Sequence, residues 1–270
     1  MIDKQNERDR RGVAIDRVGI RDLRYPIVVK DLAQKTQNTV ATIAMSVDLP
    51  HHFKGTHMSR FVEVLNEHGG VVHVENLPEI LRKIRKRLAA SCAHMRMDFP
   101  YFIKKRAPVS KAASLMDYGA TFLAHTCNQK IDFVLGVRVP VTTLCPCSKA
   151  ISRHGAHNQR GEVLLQTRSK STIWIEELIA LVEDSASCEL YALLKRSDEK
   201  FVTERAYDHP VFVEDLVRNI AVRARRDRRI RWYRIEATNF ESIHNHNAFA
   251  VVESGPWKVR GGRYRCCANC

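Results

Sequence analysis

What the 270-residue chain lacks narrows its class first. No run of eighteen or more apolar residues occurs, so no segment is long enough to cross a bilayer as a helix. The opening stretch, "MIDKQNERDRRGVAIDRVG", is polar and charged with no apolar core. That argues against a secretory signal and leads us to expect a cytoplasmic protein. Neither GxGxxG nor GxxxxGK[ST] appears, so a Rossmann or P-loop phosphate cradle is not expected. Outside the terminal "CCANC" there is no finger-type thiol pair, and no helix-turn-helix or RNP-type motif is present. A basic nucleic-acid-binding protein with a structural zinc is therefore the weaker reading.

What is there describes a globular chain. Hydrophobic residues make up 44% and charged residues 27%, enough for one large domain or two medium ones with a real core. Cysteines stand at 92, 127, 145, 147, 188, 266, 267 and 270. In a cytoplasmic chain such thiols are expected as metal ligands, reactive groups or buried apolar filler rather than disulfides. The net charge is +14, much of it in the runs "RKIRKRL", "RARRDRRIR" and "RGGRYR". Such runs read as solvated helix faces or oligomer rims, and a small polyanion such as a nucleotide would also suit the charge.

Periodicity supplies the elements. Ala41, Ile43, Met45, Val47 and Leu49 alternate with polar neighbours, which predicts a half-buried strand. Residues 57–67 read as a short helix. Leu77, Ile80, Leu81, Ile84 and Leu88 form one face of a helix over 77–91 whose outer face is cationic. Strands are predicted near 94–105 and 117–127. The pattern then restarts: Ile131, Phe133, Leu135, Val137, Val139 and Val141 alternate strictly in a strand that leads into Cys145. A second strand is predicted near 160–168, helices near 173–184 and 209–226, and strands near 230–239 and 246–253. Asp208 is the candidate N-cap of the last helix, with Pro210 in its first turn. Both halves read strand-strand-helix-helix-strand-strand. The expected fold is α+β, two modules of four-stranded antiparallel sheet with two helices on one face. The expected divisions are a flexible 1–10, modules over 11–128 and 129–256, and a basic cysteine-containing tail over 257–270.

The chemistry concentrates in "TTLCPCSKAISRHGAHNQRGE". Cys145 and Cys147 would share a face if extended geometry persisted past the strand. Lys149, Arg153 and His154 would favour a thiolate there, yet two small buried thiols fit as well. His157 tips the balance, because thiolate and neutral imidazole together commonly hold a catalytic divalent ion. His154 reads as a surface histidine. Taken alone, His244 and His246 read as a hydrogen-bonded turn, and Glu199 and Glu214 as helix-start acids. The "CCANC" end reads as a mobile terminus, open to adventitious metal binding or oxidation.

Longer motifs carry a resemblance. "VPVTTLCPCSKAISRHGAHNQRGE", "LLKRSDEKFVTERAYDHPVFVEDLVRNI", "FESIHNHNAFA" and "GTHMSRFVEVL" resemble the type IB GTP cyclohydrolase I family, a tandem of tunnelling-fold modules. The resemblance implies conversion of GTP and water to 7,8-dihydroneopterin triphosphate and formate, the entry step of folate-type pterin synthesis. It implies a homotetramer with active sites at subunit interfaces. By similarity Cys145, His157 and Glu199 would hold one divalent metal, with His244 a further ligand or proton-transfer group. Manganese or zinc is expected, and iron is chemically tolerable for such mixed donors. Glu214 would accept hydrogen bonds from the guanine amino and ring N–H groups. Cys147 would be an auxiliary in proton handling. Lys149, Arg153, Arg160, Lys195, Arg196, His57 and Arg60 are candidates for the triphosphate. A rival within the same superfamily is a nitrile reductase-like enzyme on a deazapurine, whose cysteine attacks covalently and needs no metal.

Overall fold

The computed structural model describes residues 5, 7–69, 75–127 and 130–255. The "CCANC" end lies outside the described residues. Among the described residues nine strands run in the order β1-β2-β3-β4-β5-β6-β8-β9, with β7 against β5. They are β1 Ile15–Asp31, β2 Lys35–Leu49, β3 Cys92–Arg106, β4 Ala113–Cys127, β5 Lys130–Leu144, β6 Asn158–Ser169, β7 Cys188–Glu189, β8 Ile230–Asn239 and β9 Ala248–Glu253. The described residues also form the helices α1 Ser59–Glu67, α2 Leu77–Arg87, α3 Pro146–Ile151, α4 Ile175–Glu183, α5 Arg196–Asp208 and α6 Val213–Arg226. The α+β class with antiparallel sheet is as the sequence predicts. Element order in the first half is β1-β2-α1-α2-β3-β4, and the second half adds α3, β7 and α5 to the same plan.

Two compact units divide the chain. One holds residues 1–100 and 121–134, the other 101–120 and 135–270. Strands β3, β4 and β5 each begin in one unit and end in the other.

In the first unit, β1 and β2 form a long antiparallel hairpin, and β2 pairs with β3 so that Met45 faces Met95 and Ile43 faces Met97. The alternation has its predicted consequence: Ala41, Ile43, Met45, Val47 and Leu49 are all 6% exposed or less. Asp31 closes the hairpin, its Oδ1 accepting the N–H groups of Ala33 and Gln34 at 2.8 and 2.6 Å. Opposing this core are Phe61, Val64 and Leu65 of α1 with Leu77, Ile80, Leu81 and Ile84 of α2, all essentially unexposed. Burying each such side chain contributes about 1.5–3 kcal/mol, which lets α2 carry so many cations outward. Part of that charge is answered locally, since Arg87 bonds both Glu63 and Glu67.

Two cysteines correct the expectation of free thiols. Cys92 starts β3 and Cys127 ends β4, neighbours in the sheet, and the two are joined as a disulfide. Spacing along the chain does not reveal such a cross-strand pair. Cys188 matches the buried-filler expectation: it is 2% exposed, and burial pushes its thiol up to about 11.

In the second unit, β5 pairs with β6, β6 with β8 and β8 with β9. Val137, Val139 and Val141 are fully buried as predicted, while Ile131 and Phe133 are only half-buried. Helix α6 turns Val213, Leu216, Val217, Ile220, Ala221 and Ala224 onto β8 and β9. It starts at Val213, with Phe212 in the cap position. Asp208 is instead the last residue of α5, a helix that weak amphipathicity hid from the sequence pattern. The Asp208 cap assignment is thus corrected, because Pro210 breaks the chain between two helices rather than opening one.

Candidate active site

The site is built where β5 stops. Pro146 cannot extend a sheet ladder, so the backbone turns at Cys145 (φ −71°, ψ 116°) and enters α3. Cys145 caps that short helix, its Sγ accepting the Ser148 N–H at 3.4 Å. Cys147 falls in the first turn and is exposed. Extended geometry therefore does not persist, and the two thiols do not share a strand face.

The chain then folds back onto its own start. The Cys145 N–H donates to the His157 carbonyl at 3.1 Å, and the Ser148 hydroxyl accepts the His157 N–H at 3.1 Å. Gly155, at φ +111°, makes the reversal in a region that L side chains rarely adopt. His157 is held from the ring side as well. Its Nδ1 lies 3.0 Å from Gln159 Oε1, and the Gln159 amide nitrogen donates to Thr143 Oγ1 at 2.9 Å. With the amide so oriented, Nδ1–H is the donor and the Nε2 lone pair is left for a ligand.

Two further segments are pinned to this corner. The Val211 N–H donates to the Leu144 carbonyl at 3.0 Å, which sets the start of α6 against the end of β5. The Phe240 N–H donates to the Arg160 carbonyl at 2.9 Å and anchors the loop that follows β8. The result is a cleft of about 300 Å³ within the second unit. Cys145, His157 and Gln159 form one wall, Val211, Phe212, Val213 and Glu214 a second, and Asn239, Glu241, His244, His246 and Ala248 a third. The rings of His244 and His246 stack with centroids 5.2 Å apart.

Four predicted site residues, Cys145, His157, Glu214 and His244, thus line one cleft. Glu199 does not; it is exposed in the first turn of α5. Among the described residues no three His, Cys, Asp or Glu side chains are grouped to hold a metal. Cys145 and His157 do fit one as a pair: the thiol is free, and the imidazole is oriented by a fixed partner on its other nitrogen.

The candidate phosphate contacts are not among the lining residues, which among the described residues include no Lys or Arg. Lys149 is tied to α5, its ammonium donating to the Tyr207 carbonyl and sitting 4.2 Å from the centre of that ring. Lys195 caps α5, while Arg153, Arg160 and Arg196 are exposed. His57 and Arg60 belong to the first unit, where Arg60 donates to the Arg87 carbonyl at 3.0 Å.

Sequence reading missed Gln159, Asn239 and Glu241 and set His246 aside. Two of these had a signal. Gln159 precedes Gly161 and Val163 on the inward face of β6, and Asn239 follows Ile235 and Ala237 on the inward face of β8. A polar residue at an apolar position of a period-two pattern is the mark of a site.

Comparison with known proteins follows the same lines. The family model described as type I GTP cyclohydrolase FolE2 matches residues 1–250. The GTP cyclohydrolase FolE2 of Syntrophotalea carbinolica is 57% identical over 256 residues, covering 95% of this chain and 96% of that one. That of Nitrosococcus oceani is 55% identical over 251 residues, covering 93% and 94%. Among solved structures, uricase from Arthrobacter globiformis matches with a TM-score of 0.57 at 8% identity, covering 92% of this chain and 95% of that one. Urate oxidase from Bacillus sp. TB-90 gives 0.53 at 8%, covering 88% and 99%. The likeness to these two enzymes, at 8% identity, is one of fold alone.

Proposed function

The chain belongs to the type I GTP cyclohydrolase FolE2 family, and on that premise we propose that the cleft at the end of β5 is where GTP is opened. GTP cyclohydrolase activity, in folate and pterin biosynthesis, is what membership assigns to it. The product on this reading is 7,8-dihydroneopterin triphosphate, released with formate. One observation carries the assignment to this cleft: Cys145, His157, Glu214 and His244, from three separate segments of the chain, line a single cavity whose described lining has no Lys or Arg. A cavity with apolar Val211, Phe212 and Val213 and two carboxylates suits an uncharged base and leaves the triphosphate outside.

Each residue has a task on this reading. Glu214 sits in the first turn of α6, and its two oxygens accept from the paired donors of the guanine edge, ring N–H and amino group. His244 moves a proton between the attacking water and the ring nitrogen as the C8–N bond opens. Cys145 and His157 Nε2 hold the divalent metal that the family implies, manganese or zinc. When bound, that ion supplies Lewis acidity to activate water. Cys147, exposed one residue beyond Pro146, remains an auxiliary for proton handling.

Glu199 as a further ligand requires a neighbouring copy or a movement of α5. The homotetramer expected for the family supplies the former. Its support here is β9, which among the described residues is an edge strand and presents Phe249 and Val251 at 71% and 46% exposure beside the cleft. Unpaired strand edges with exposed apolar side chains are natural joining surfaces. The triphosphate then meets cations outside the cleft, with Arg153, Arg160, Lys195 and Arg196 the candidates in this unit and His57 and Arg60 candidates from a neighbouring copy. The two modules are proposed to divide near residue 129, and the protein to work in the cytoplasm. No helix among the described residues is long and apolar enough to cross a membrane.

The test is direct. Metal-stripped protein and protein supplied with manganese or zinc are incubated with GTP, and the mixture is oxidised and read for fluorescent neopterin. Product that depends on metal supports the reading. Absence of product with every divalent metal tried sinks it.

A further inference from the structure

Asn239 ends β8 on the inward face, 3% exposed, in the wall of the cleft. Among the described residues its Oδ1 is shielded from solvent and has no hydrogen-bond partner. Buried polar atoms are paired in the great majority of cases, and an orphan marks a strained or functional position. The neighbouring polar side chain differs. Gln159 spends both ends of its amide on His157 and Thr143. Asn239 is thus the uncharged polar group in this lining that the protein leaves unengaged.

The fold makes room for it. Asn239 is the cross-strand partner of Gly161 on β6 and of Ala248 on β9. A Cβ at position 161 would lie 2.9 Å from Asn239 Oδ1 and 3.2 Å from the Thr238 carbonyl. The carboxamide lies across the bare glycine, and the smallest residues stand on both sides of it.

We propose that Asn239 is a base-binding residue of this cleft, its carboxamide hydrogen-bonding the purine of the bound nucleotide. The inference rests on the GTP reading above and extends it by one residue. Charge selects the base over the rest of the nucleotide. Among the described residues the lining offers no Lys or Arg and two carboxylates, which favours the uncharged ring inside and the phosphates outside. Glu214 can only accept hydrogen bonds, so it serves the donor edge of guanine and nothing else. A neutral amide carries both a donor and an acceptor: the orphan Oδ1 accepts the amino N–H of guanine that Glu214 leaves free, and the Nδ2–H group serves the acceptor atoms that Glu214 would repel. Ligand binding gives the orphan group a partner and turns an unfavourable feature of the free chain into a source of affinity.

The experiment uses full-length, metal-loaded protein and the near-isosteric Asn239→Leu variant. Because the variant removes a polar group with no partner in the free chain, its Tm and metal content should equal or exceed those of the parent. Its kcat/KM for GTP should fall by ~10-fold or more, mostly through KM, as expected for a lost buried hydrogen bond to substrate. Gly161→Ala, which displaces the carboxamide, should give a similar loss, and the double variant should lose little more. Parent turnover with an unaltered KM in Asn239→Leu overturns this inference alone. So does a loss of activity that only tracks a lowered Tm, the outcome of a structural role. A parent protein that makes no product overturns the functional reading and this inference with it.

Discussion

Ser110 grips both oxygens of the Asp198 carboxylate, its N–H reaching Oδ1 at 2.8 Å and its hydroxyl Oδ2 at 2.6 Å. Val109 adds an N–H to Oδ1 and Lys195 an N–H to Oδ2, both at 2.8 Å. Asp198 is wholly unexposed; the three donors of Val109 and Ser110 fasten the turn between β3 and β4 to the first turn of α5, and the Lys195 N–H closes the cap of that helix. Burial alone would raise its pKa. The bonds from Ser110, Lys195 and Val109 outweigh that and hold it well below the ordinary 3.8.

Asp198→Ala should therefore lower Tm by several degrees at neutral pH by taking the shared carboxylate acceptor from the N–H groups of Val109, Ser110 and Lys195. The sign with pH follows from the depressed value. The carboxylate's contribution is complete above the ordinary 3.8 and is lost as pH falls through the folded value. The Tm gap between parent and variant should be wide at pH 7 and close in strong acid. A gap independent of pH would remove the ionised carboxylate from the account.

The bond between His157 and Gln159 predicts a metal effect without a direct ligand being touched. Gln159→Leu frees the imidazole to turn and lets its other tautomer form. Groups that orient a ligating histidine typically contribute 10–100-fold to metal affinity, so manganese titration should show a loss of about that size. Cys145→Ala should remove bound metal and activity while the fold is retained. Full activity in Cys145→Ala would end its assignment as a ligand.

Glu214→Gln should separate base from metal. The amide replaces one acceptor oxygen with a donor that faces guanine donors, so KM for GTP should rise by ~10-fold or more. Metal content should stay near that of the parent. Parallel loss of metal and of GTP affinity would place Glu214 at the metal instead.

Local pattern made much of this legible. The strict alternation of Ala41 to Leu49 gave β2, and the apolar face Leu77, Ile80, Leu81, Ile84 gave α2. Cys145 and His157 stand out by residue type, Glu214 and His244 only by the family resemblance, and all four line one cleft. What stayed hidden depends on pairing across the chain. Helix α5 has a weak apolar face because its key buried side chain is the charged Asp198, satisfied by residues 88 and 89 positions away. Asn239 means little until β6 places Gly161 beside it. Cys92 and Cys127 are 35 positions apart, and only the β3–β4 pairing brings their Cα atoms to 4.3 Å.

That disulfide predicts a redox-dependent stability. Closing a loop of this length contributes about 2–4 kcal/mol by restricting the unfolded chain. Under non-reducing conditions the Cys92→Ser, Cys127→Ser pair should melt below the parent. Added reductant should bring the parent down to the variant and leave the variant unmoved. Equal melting in oxidising buffer would mean that the bond does not form in solution.

His94 lies two residues inside that bridge on β3 and stacks on His125 of β4, ring centroids 5.6 Å apart. Burial, then Arg17 and His125, press its pKa from 6.5 down to about 4, against a weaker opposing pull from Asp48. Asp132 stands 3.6 Å from the His125 ring and serves that partner instead. Between pH 6.5 and 4 the unfolded chain therefore binds a proton that the folded chain refuses, and stability must fall as pH falls through that window. His94→Gln removes the titrating group and keeps a polar side chain of similar reach. Its Tm should decline less steeply than that of the parent between pH 6.5 and 4, while the exposed-site control His154→Gln should keep the parental slope. If His94→Gln and the parent decline in parallel, the acid sensitivity of this unit arises elsewhere.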